Sequence, residues 1–160
     1  MTGENLVNTL AVLLIITSLL VVEARKPQLS AKLYSLQSLV LVLIFLSLAI
    51  FMEATPLYIW AATSLLTKVI LVPWILLRTL RKVGDAAEEP EALLSPATTL
   101  IIAALFVGLS FLIVTPFHTE AIIKLKPALA VSIAHFLLGL LCILTRRNAV
   151  KQILGYCLME

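Results

Sequence analysis

Apolar residues form long uninterrupted runs over most of the chain, with short polar segments between them. Five runs have the length of a membrane-crossing helix: Leu6–Val22, Leu33–Met52, Leu57–Leu77, Ala97–Thr115 and Ala128–Thr145. Each approaches the ~20 residues that a helix needs to cross ~30 Å of hydrocarbon. A sixth run begins at Ala149 and ends at Glu160, after only ~18 Å of helix. The pattern predicts an all-α, polytopic transmembrane helix bundle with five full helices and a truncated sixth.

The composition excludes a soluble fold. Hydrophobic residues make up 61% of the chain and charged residues 13%, against roughly 45–50% and about 25% in soluble domains. A soluble domain needs polar residues to cover its surface, so the apolar excess must face lipid. The net charge is +3, but the basic residues are dispersed and do not form a nucleic-acid-binding patch. The lipid bilayer is therefore the predicted environment.

Prolines mark the starts of several segments. Three of them stand at or just before a segment start, where a missing N–H costs nothing: Pro56, Pro96 and Pro127. Pro73 differs, because it lies inside the third segment and cannot donate to the carbonyl of Val69. The sequence therefore predicts a backbone acceptor at Val69 that is available to water or to a side chain.

The distribution of Lys and Arg between the linkers predicts the orientation. Nine basic residues belong to the first, third and fifth linkers: Arg25, Lys26, Lys32, Arg78, Arg81, Lys82, Arg146, Arg147 and Lys151. The N-terminus and the second linker hold none, and the fourth linker holds Lys124 and Lys126. Because cytoplasmic loops collect Lys and Arg, we expect the N-terminus outside and the odd-numbered linkers in the cytoplasm.

The longest linker, residues 78–95, is too short to form a domain of its own. Its basic start is followed by four acidic residues: Asp85, Glu88, Glu89 and Glu91. One interpretation of this strip is a solvated loop, and the other is a docking site for a cytoplasmic partner.

Motifs for cofactor binding and catalysis are missing from the sequence. It has no Gly-rich phosphate loop, no dinucleotide fingerprint and no paired-cysteine metal or iron–sulfur motif. The two histidines are not spaced as a ligand pair. Cys142 and Cys157 lie inside apolar segments, as small packing groups do. The chain itself is therefore predicted to be non-catalytic and without a cofactor, and any cofactor chemistry coupled to it belongs to a partner.

Three ionisable residues lie well inside the apolar segments: Lys68, His135 and Glu160. At ~1.5 Å per residue from the cytoplasmic ends of their helices they lie ~15, ~16 and ~18 Å deep, near the bilayer midplane. Even on lenient scales a central Lys or Asp costs about 2.5–3.5 kcal/mol. Such residues normally face a bundle interior or water and mark ion or proton pathways. We predict a proton path through them, with structural hydrogen bonding or ion pairing as the alternative for His135 and Lys68.

Helical spacing extends these positions into stripes. Asn148, Gln152, Tyr156 and Glu160 recur every four residues and share one helix face. This stripe leads from the cytoplasmic end to the carboxylate, and it predicts an ordered water chain that forms half of a proton path. Small residues share a face with the other two positions: Ala61 and Ser64 with Lys68, and Ala128, Ser132, Gly139 and Cys142 with His135.

The last residue of the sequence is itself one of the predicted midplane groups. A chain terminus beside the Glu160 carboxylate would place two unpaired charges in the middle of the membrane, which is very costly. We therefore expect the natural polypeptide to continue beyond this residue.

Several stretches together carry a resemblance to a known family. The longest is His135–Phe–Leu–Leu–Gly–Leu–Leu–Cys–Ile–Leu–Thr–Arg–Arg–Asn148, which continues to Gly155–Tyr–Cys–Leu–Met–Glu160. Others are Ile59–Trp–Ala–Ala, Thr67–Lys–Val–Ile–Leu–Val–Pro73, Leu125–Lys–Pro–Ala–Leu–Ala–Val131 and Gln37–Ser–Leu–Val–Leu–Val42. With these motifs, the sequence resembles the hydrogenase-4 component E family over most of its length.

The end of the sequence is similar to two further families. An Arg–Arg–Asn linker followed by a membrane carboxylate resembles the K subunit of respiratory complex I and the C subunit of multisubunit cation/proton antiporters. In the K subunit the glutamate comes about one helical turn sooner, near the position of Cys157, on nearly the same face. The resemblance divides the chain into an N-terminal four-helix bundle, residues 1–126, and the start of a K-subunit-like helix pair, residues 127–160.

The resemblance implies a membrane-arm subunit of an energy-converting nickel–iron hydrogenase of the formate hydrogenlyase type, in a bacterial or archaeal cytoplasmic (inner) membrane. The nickel–iron centre and iron–sulfur clusters would belong to cytoplasmic partner subunits, and antiporter-like proteins would be the membrane partners. Glu160 would titrate as proton or sodium movement is coupled to electron transfer, with Lys68 and His135 relaying charge. Two alternatives stay open: a cation/proton antiporter subunit with no redox partner, and a structural bundle that braces its neighbours.

Overall fold

The computed structural model describes residues 3–51, 53–83, 94–117 and 126–159. Within these ranges every regular element is helical and no strand occurs. The helices are α1 (Gly3–Glu23), α2 (Pro27–Phe51), α3 (Thr55–Ser64), α4 (Val72–Val83), α5 (Pro96–Val114), α6 (Lys126–Thr145) and α7 (Ala149–Met159). A π-helical segment, Leu65–Leu71, joins α3 to α4 without a break. The predicted all-α fold is confirmed.

Five helical stretches are long and apolar enough to cross a membrane: Asn5–Glu23, Pro27–Phe51, Thr55–Lys82, Pro96–Val114 and Lys126–Thr145. The remaining helix, α7, is apolar and has 11 residues. These lengths confirm the predicted five full helices with a shorter sixth, and the chain is a multi-pass membrane protein. Its orientation in the membrane stays a prediction. The acidic strip at 85–91 lies outside the described residues.

Helices begin at prolines, as predicted for three segments. Pro56 and Pro96 occupy the first turns of α3 and α5, and Pro127 is the second residue of α6. At α5 the hydroxyl of Ser95 also accepts a hydrogen bond from the backbone N–H of Thr98 at 3.3 Å. The second helix starts at Pro27, earlier than its apolar run, because a helix start is set by backbone geometry rather than by hydropathy.

Helices α1 and α6 lie at the centre of the bundle. α1 packs along α2 and α6, while α5 and α7 pack along α6. The third span packs against α2. The largest apolar cluster joins residues of α1, α2, α4, α6 and α7: Val21, Val22, Ala31, Tyr34, Leu76, Cys142, Leu154 and Leu158. The short helix α7 is therefore part of the core of this bundle.

Two glycines allow α6 and α7 to approach closely. A Cβ atom added to Gly139 would lie 2.7 Å from the carbonyl oxygen of Gly155. One added to Gly155 would lie 2.9 Å from the carbonyl oxygen of Gly139 and 2.8 Å from Cγ1 of Ile143. Distances under 3.0 Å are essentially never seen for real Cβ atoms. The helix pair therefore depends on backbone-to-backbone packing that only glycine permits.

Candidate functional site

A cluster of buried polar side chains surrounds His135 in the bundle interior. His135 comes from α6, and its Nδ1 lies 2.9 Å from the hydroxyl of Ser18 on α1. Its Nε2 lies 3.0 Å from the side-chain nitrogen of Gln37 on α2. Ser38 donates to the Gln37 side-chain oxygen at 3.4 Å. Helices α1, α2 and α6 thus meet at this set of four residues, which we call the histidine cluster.

The histidine cluster is closed to the outside of the chain. Exposed fractions are 0% for Ser18, 1% for Gln37, 1% for Ser38 and 9% for His135. Polar groups removed from water are costly unless they bond to one another, and here each makes a bond within the cluster or to its own helix. Sequence reasoning singled out His135 but missed Ser18 and Gln37. Gln37 stands inside an apolar run, and this position was the signal that could have identified it.

Lys68 lies in the middle of the π-helical segment and is half-buried. The backbone N–H of Val72 donates to the carbonyl of Thr67, five residues earlier, as in a π-helix. The hydroxyl of Ser35 on α2 donates to the carbonyl of Val69 at 2.9 Å. The predicted use of the Val69 acceptor by a side chain is thereby confirmed.

Lys68 lies near enough to the histidine cluster for its charge to act on His135. The Lys68 ammonium interacts electrostatically with the His135 ring. Two of the three predicted midplane groups are thus within reach of each other's charge, although they are 67 residues apart in the sequence. The small residues Ala61 and Ser64 are buried in the same span. On α6, Gly139 and Cys142 are buried with His135, whereas Ser132 is exposed. The stripe predicted around His135 therefore faces the interior only in part.

Two residues of the α7 stripe, Gln152 and Tyr156, face away from the bundle interior. The Asn148 side chain accepts from the Val150 N–H at 2.9 Å, and Gln152 donates to the Arg146 carbonyl at 3.0 Å. Gln152 is exposed, as is Tyr156, with 65% of its surface accessible. Asn148 therefore begins the helix, and the next two stripe residues lie on the outer surface of this chain. Glu160 lies outside the described residues, and its role and position stay predictions.

Two basic side chains close one end of the bundle in a way that the sequence did not reveal. Arg146 donates to the Val22 carbonyl at 2.7 Å and lies 3.6 Å from the Glu23 carboxylate. The ammonium of Lys151 donates to the Ala24 carbonyl. Cations stabilise the carbonyls that a helix leaves unpaired at its C-terminal end. These two residues, here called the basic clasp, hold the first and fifth linkers together on one side of the bundle.

The ionisable side chains in this interior can gain and lose protons. In residues 3–51, 53–83, 94–117 and 126–159, no group of three or more His, Cys, Asp or Glu is arranged to hold a metal ion. His135 and Lys68 each have a nitrogen that gains or loses a proton. The Ser18 hydroxyl beside His135 can donate or accept a hydrogen bond, and the Gln37 amide has a donor end and an acceptor end. The arrangement is therefore suited to storing or relaying charge inside a membrane.

A bundle of this kind, with ionisable groups inside apolar helices, belongs to the class of polytopic helical membrane proteins. Within it, α6, α7 and their linker are similar to a specific family, because the model for NADH-ubiquinone/plastoquinone oxidoreductase chain 4L matches residues 127–160.

A second comparison extends the likeness to the whole chain. Hydrogenase-4 component E of Escherichia coli strain K12 is 47% identical over 160 residues, which is 100% of this chain and 74% of that protein. The proteins of the same name from Escherichia coli O157:H7 and Shigella flexneri match to the same extent. The chain belongs to the hydrogenase-4 component E family. No solved structure matches it.

Proposed function

We propose that the protein is a membrane-arm subunit of an energy-converting nickel–iron hydrogenase complex of the formate hydrogenlyase type. It contributes there to proton or sodium translocation coupled to electron transfer. The observation that carries this proposal is the 47% identity to hydrogenase-4 component E over the full chain. The match of residues 127–160 to chain 4L of NADH-ubiquinone/plastoquinone oxidoreductase supports a complex I-like coupling role.

The proposal places the redox chemistry in other subunits. The nickel–iron centre and the iron–sulfur clusters belong to cytoplasmic partners, and this chain is a non-catalytic subunit of the oxidoreductase complex. Antiporter-like proteins are its neighbours in the bacterial or archaeal inner membrane. The basic first, third and fifth linkers face the cytoplasm in this arrangement and lie on the side where the hydrogenase subunits dock.

The ionisable side chains inside the membrane spans support a role in charge movement. An ionisable side chain inside a membrane span is costly, yet Lys68 and His135 lie within the third and fifth spans. Glu160 is proposed as the titrating group, with Lys68 and His135 relaying charge along the membrane. Gln152 and Tyr156 are on the outer face of α7, where a neighbouring subunit can enclose them. The water path to Glu160 is then formed between subunits rather than within this chain.

Glu160→Gln tests the translocation role. The amide is nearly isosteric but cannot exchange a proton, so coupled proton movement should be abolished while hydrogenase turnover with artificial dyes is largely spared. Proton uptake by inverted membrane vesicles, followed with a fluorescent pH indicator, measures the first quantity. Glu53→Gln is the matched control, because Glu53 is an exposed carboxylate between α2 and α3. Undiminished proton uptake with Glu160→Gln would end the assignment of Glu160.

Mass spectrometry of the proteins that co-purify with the tagged chain in mild detergent tests the assembly. We expect nickel–iron hydrogenase and iron–sulfur subunits together with antiporter-like membrane proteins. Recovery of antiporter subunits without any hydrogenase subunit would instead assign the chain to a cation/proton antiporter.

A structural bracing role is the second candidate, and the hydrogen bonds of His135 favour it. Both ring nitrogens have a side-chain partner from another helix, so the ring ties three helices together. Under this alternative, substitutions of Lys68 and His135 disturb assembly of the complex and never the coupling of assembled complexes. Measuring subunit recovery and coupling on the same preparations of Lys68→Met and His135→Gln separates the two roles.

A further inference from the structure

The hydrogen bonds around His135 decide which ring nitrogen carries its proton. The Ser18 hydroxyl lies 2.6 Å from the carbonyl of Leu14, one turn earlier on α1, and a hydroxyl has a single proton to donate. With that proton directed at Leu14, the Ser18 oxygen can only accept from His135 Nδ1, 2.9 Å away. The ring proton therefore resides on Nδ1.

Gln37 presents its donor end to the other ring nitrogen. Its Nε2 lies 3.0 Å from His135 Nε2, and an amide nitrogen donates but does not accept. His135 Nε2 must therefore be the unprotonated nitrogen, and the ring is neutral. The opposite end of the amide accepts from the Ser38 hydroxyl at 3.4 Å. Ser38 thus holds Gln37 in the orientation that the neutral ring requires.

We propose that Gln37 is a positioning residue that holds His135 neutral and gates its protonation; this inference rests on the proposed translocation role. A proton that adds to His135 Nε2 would meet the amide NH₂ group, and two donors cannot share a hydrogen bond. The charged ring is accommodated only after the Gln37 side-chain amide flips, so that its oxygen and nitrogen exchange places. Its oxygen then accepts from the new N–H, and its nitrogen donates to Ser38. The orientation of one amide thus follows the charge state of one histidine.

The surrounding charges determine how the proton can arrive. Ser18 on α1 and Gln37 and Ser38 on α2 are neutral partners, and α5, which also packs along α6, contains no ionisable residue. Lys68 is the charged group that interacts with the ring within the described part of the chain. Two positive charges repel strongly in a medium of low dielectric constant. In the proposed step a proton leaves Lys68 Nζ and, through water, adds to His135 Nε2, so the pair keeps a total charge of +1.

Nitrogen-15 NMR of the full-length, histidine-labelled protein in lipid bilayers reads both ring nitrogens directly. The chain has two histidines, so His118→Asn assigns the remaining signals to His135. We expect a protonated Nδ1 and an unprotonated Nε2 in the otherwise wild-type protein at neutral pH. A proton on Nε2 would overturn the proposal without any need for a cluster variant to fold.

Gln37→Glu tests the gate itself. A carboxylate offers only acceptor oxygens and a negative charge, so both ring nitrogens should be protonated in this variant. Gln28→Glu introduces the same charge on the same helix at an exposed position and should leave the His135 signals unchanged. An unprotonated Nε2 in folded Gln37→Glu protein would overturn the role of Gln37.

Coupling measurements distinguish failure of this inference from failure of the proposed function. In vesicles carrying the whole complex, Gln37→Glu should lose coupled proton movement and keep dye-linked hydrogenase turnover, whereas Gln28→Glu should keep both. Normal coupling in Gln37→Glu, with coupling lost in Glu160→Gln, would refute gating by Gln37 and leave the proposed function standing. Normal coupling in both variants would refute gating by Gln37 and the assignment of Glu160 as the titrating group together.

Discussion

Lys151 is a fully buried lysine whose charge has a structural use. Its exposed fraction is 0%, and its ammonium donates to the Ala24 carbonyl just beyond α1. The last carbonyls of a helix have no partner within the helix, and the negative end of the helix dipole attracts a cation. Arg146 contributes in the same way at Val22. A basic residue in a membrane-protein linker can therefore stabilise the fold as well as orient it.

Lys151→Met should destabilise the bundle, because it removes the cation and leaves the Ala24 carbonyl without this donor. The Ser30 hydroxyl still donates to this carbonyl at 3.2 Å, so the expected loss is that of one hydrogen bond from a charged donor, about 1.5–3 kcal/mol. Thermal unfolding of the purified protein in detergent, followed by circular dichroism, measures the effect. Lys26→Met is the matched control, since Lys26 belongs to the same linker as Ala24 and is exposed. Equal melting temperatures for the two variants would contradict the structural use of Lys151.

The interrupted third span shows how one residue changes an element. Pro73 lacks the N–H that would reach Val69, and the chain forms a π-helical segment just before it. Ser35 supplies the missing donor from α2. The sequence located the unsatisfied carbonyl, since that follows from proline chemistry. It did not predict the π-helical segment, because the length of the interruption depends on how the span packs against α2.

The close contact between α6 and α7 leaves little space for a side chain larger than glycine. Gly155→Ala should destabilise the helix pair by about 1–3 kcal/mol, the usual cost of overpacking, because the new methyl group would overlap the Gly139 carbonyl and Ile143. Gly108→Ala is the control: nothing lies within 4 Å of the position that its Cβ would occupy. Replacing that glycine should be neutral or stabilising, since alanine is the better helix former.

Thermal melts of the two glycine variants test this contact, with recovery of the assembled complex as a second measurement. A Gly155→Ala protein as stable as Gly108→Ala would show that the backbones of α6 and α7 are not in direct contact at Gly139 and Gly155. Loss of stability in both variants would show that replacing any helical glycine is destabilising. The effect at Gly155 would then give no support for a close contact between α6 and α7.

For the whole molecule, the basic clasp relates two linkers that are far apart in the sequence. Arg146 and Lys151 contact the end of α1, so the first and fifth linkers lie on the same side of the bundle. The charge distribution predicts the same pairing, since both linkers are basic and odd-numbered. The structure defines which linkers share a side, and the positive-inside rule predicts which side that is.

Single cysteines introduced at Arg25, Arg147 and Glu53 test the topology in a background with Cys142→Ala and Cys157→Ala. These three sites are exposed. We expect a membrane-impermeant thiol reagent to label only the Glu53 position from outside, and the other two after permeabilisation. Labelling of the Arg25 and Arg147 positions from opposite sides would contradict the clasp. Labelling of both from outside would reverse the predicted orientation and leave the fold intact.

The class of the fold and the placement of the spans follow from the amino-acid sequence. Lipid is a uniform apolar solvent, so the length and hydropathy of each run decide whether it crosses. Helical hydrogen bonds are local, which is why Pro56 and Pro96 could be recognised as helix starts and Val69 as an open acceptor. The resemblance to the hydrogenase-4 component E family could also be recognised, because the residues of the motif that begins at His135 are contiguous in the sequence.

The surroundings of the membrane-embedded groups depend on how the helices pack and could not be predicted from the sequence. The partners of His135 are Ser18 and Gln37, which are 117 and 98 residues away in the chain. A helix that is apolar on every side carries no pattern to indicate which face turns inward. Its rotation is set by close packing with its neighbours. That rotation buries His135 with a serine and a glutamine while it leaves Gln152 and Tyr156 on the outer surface.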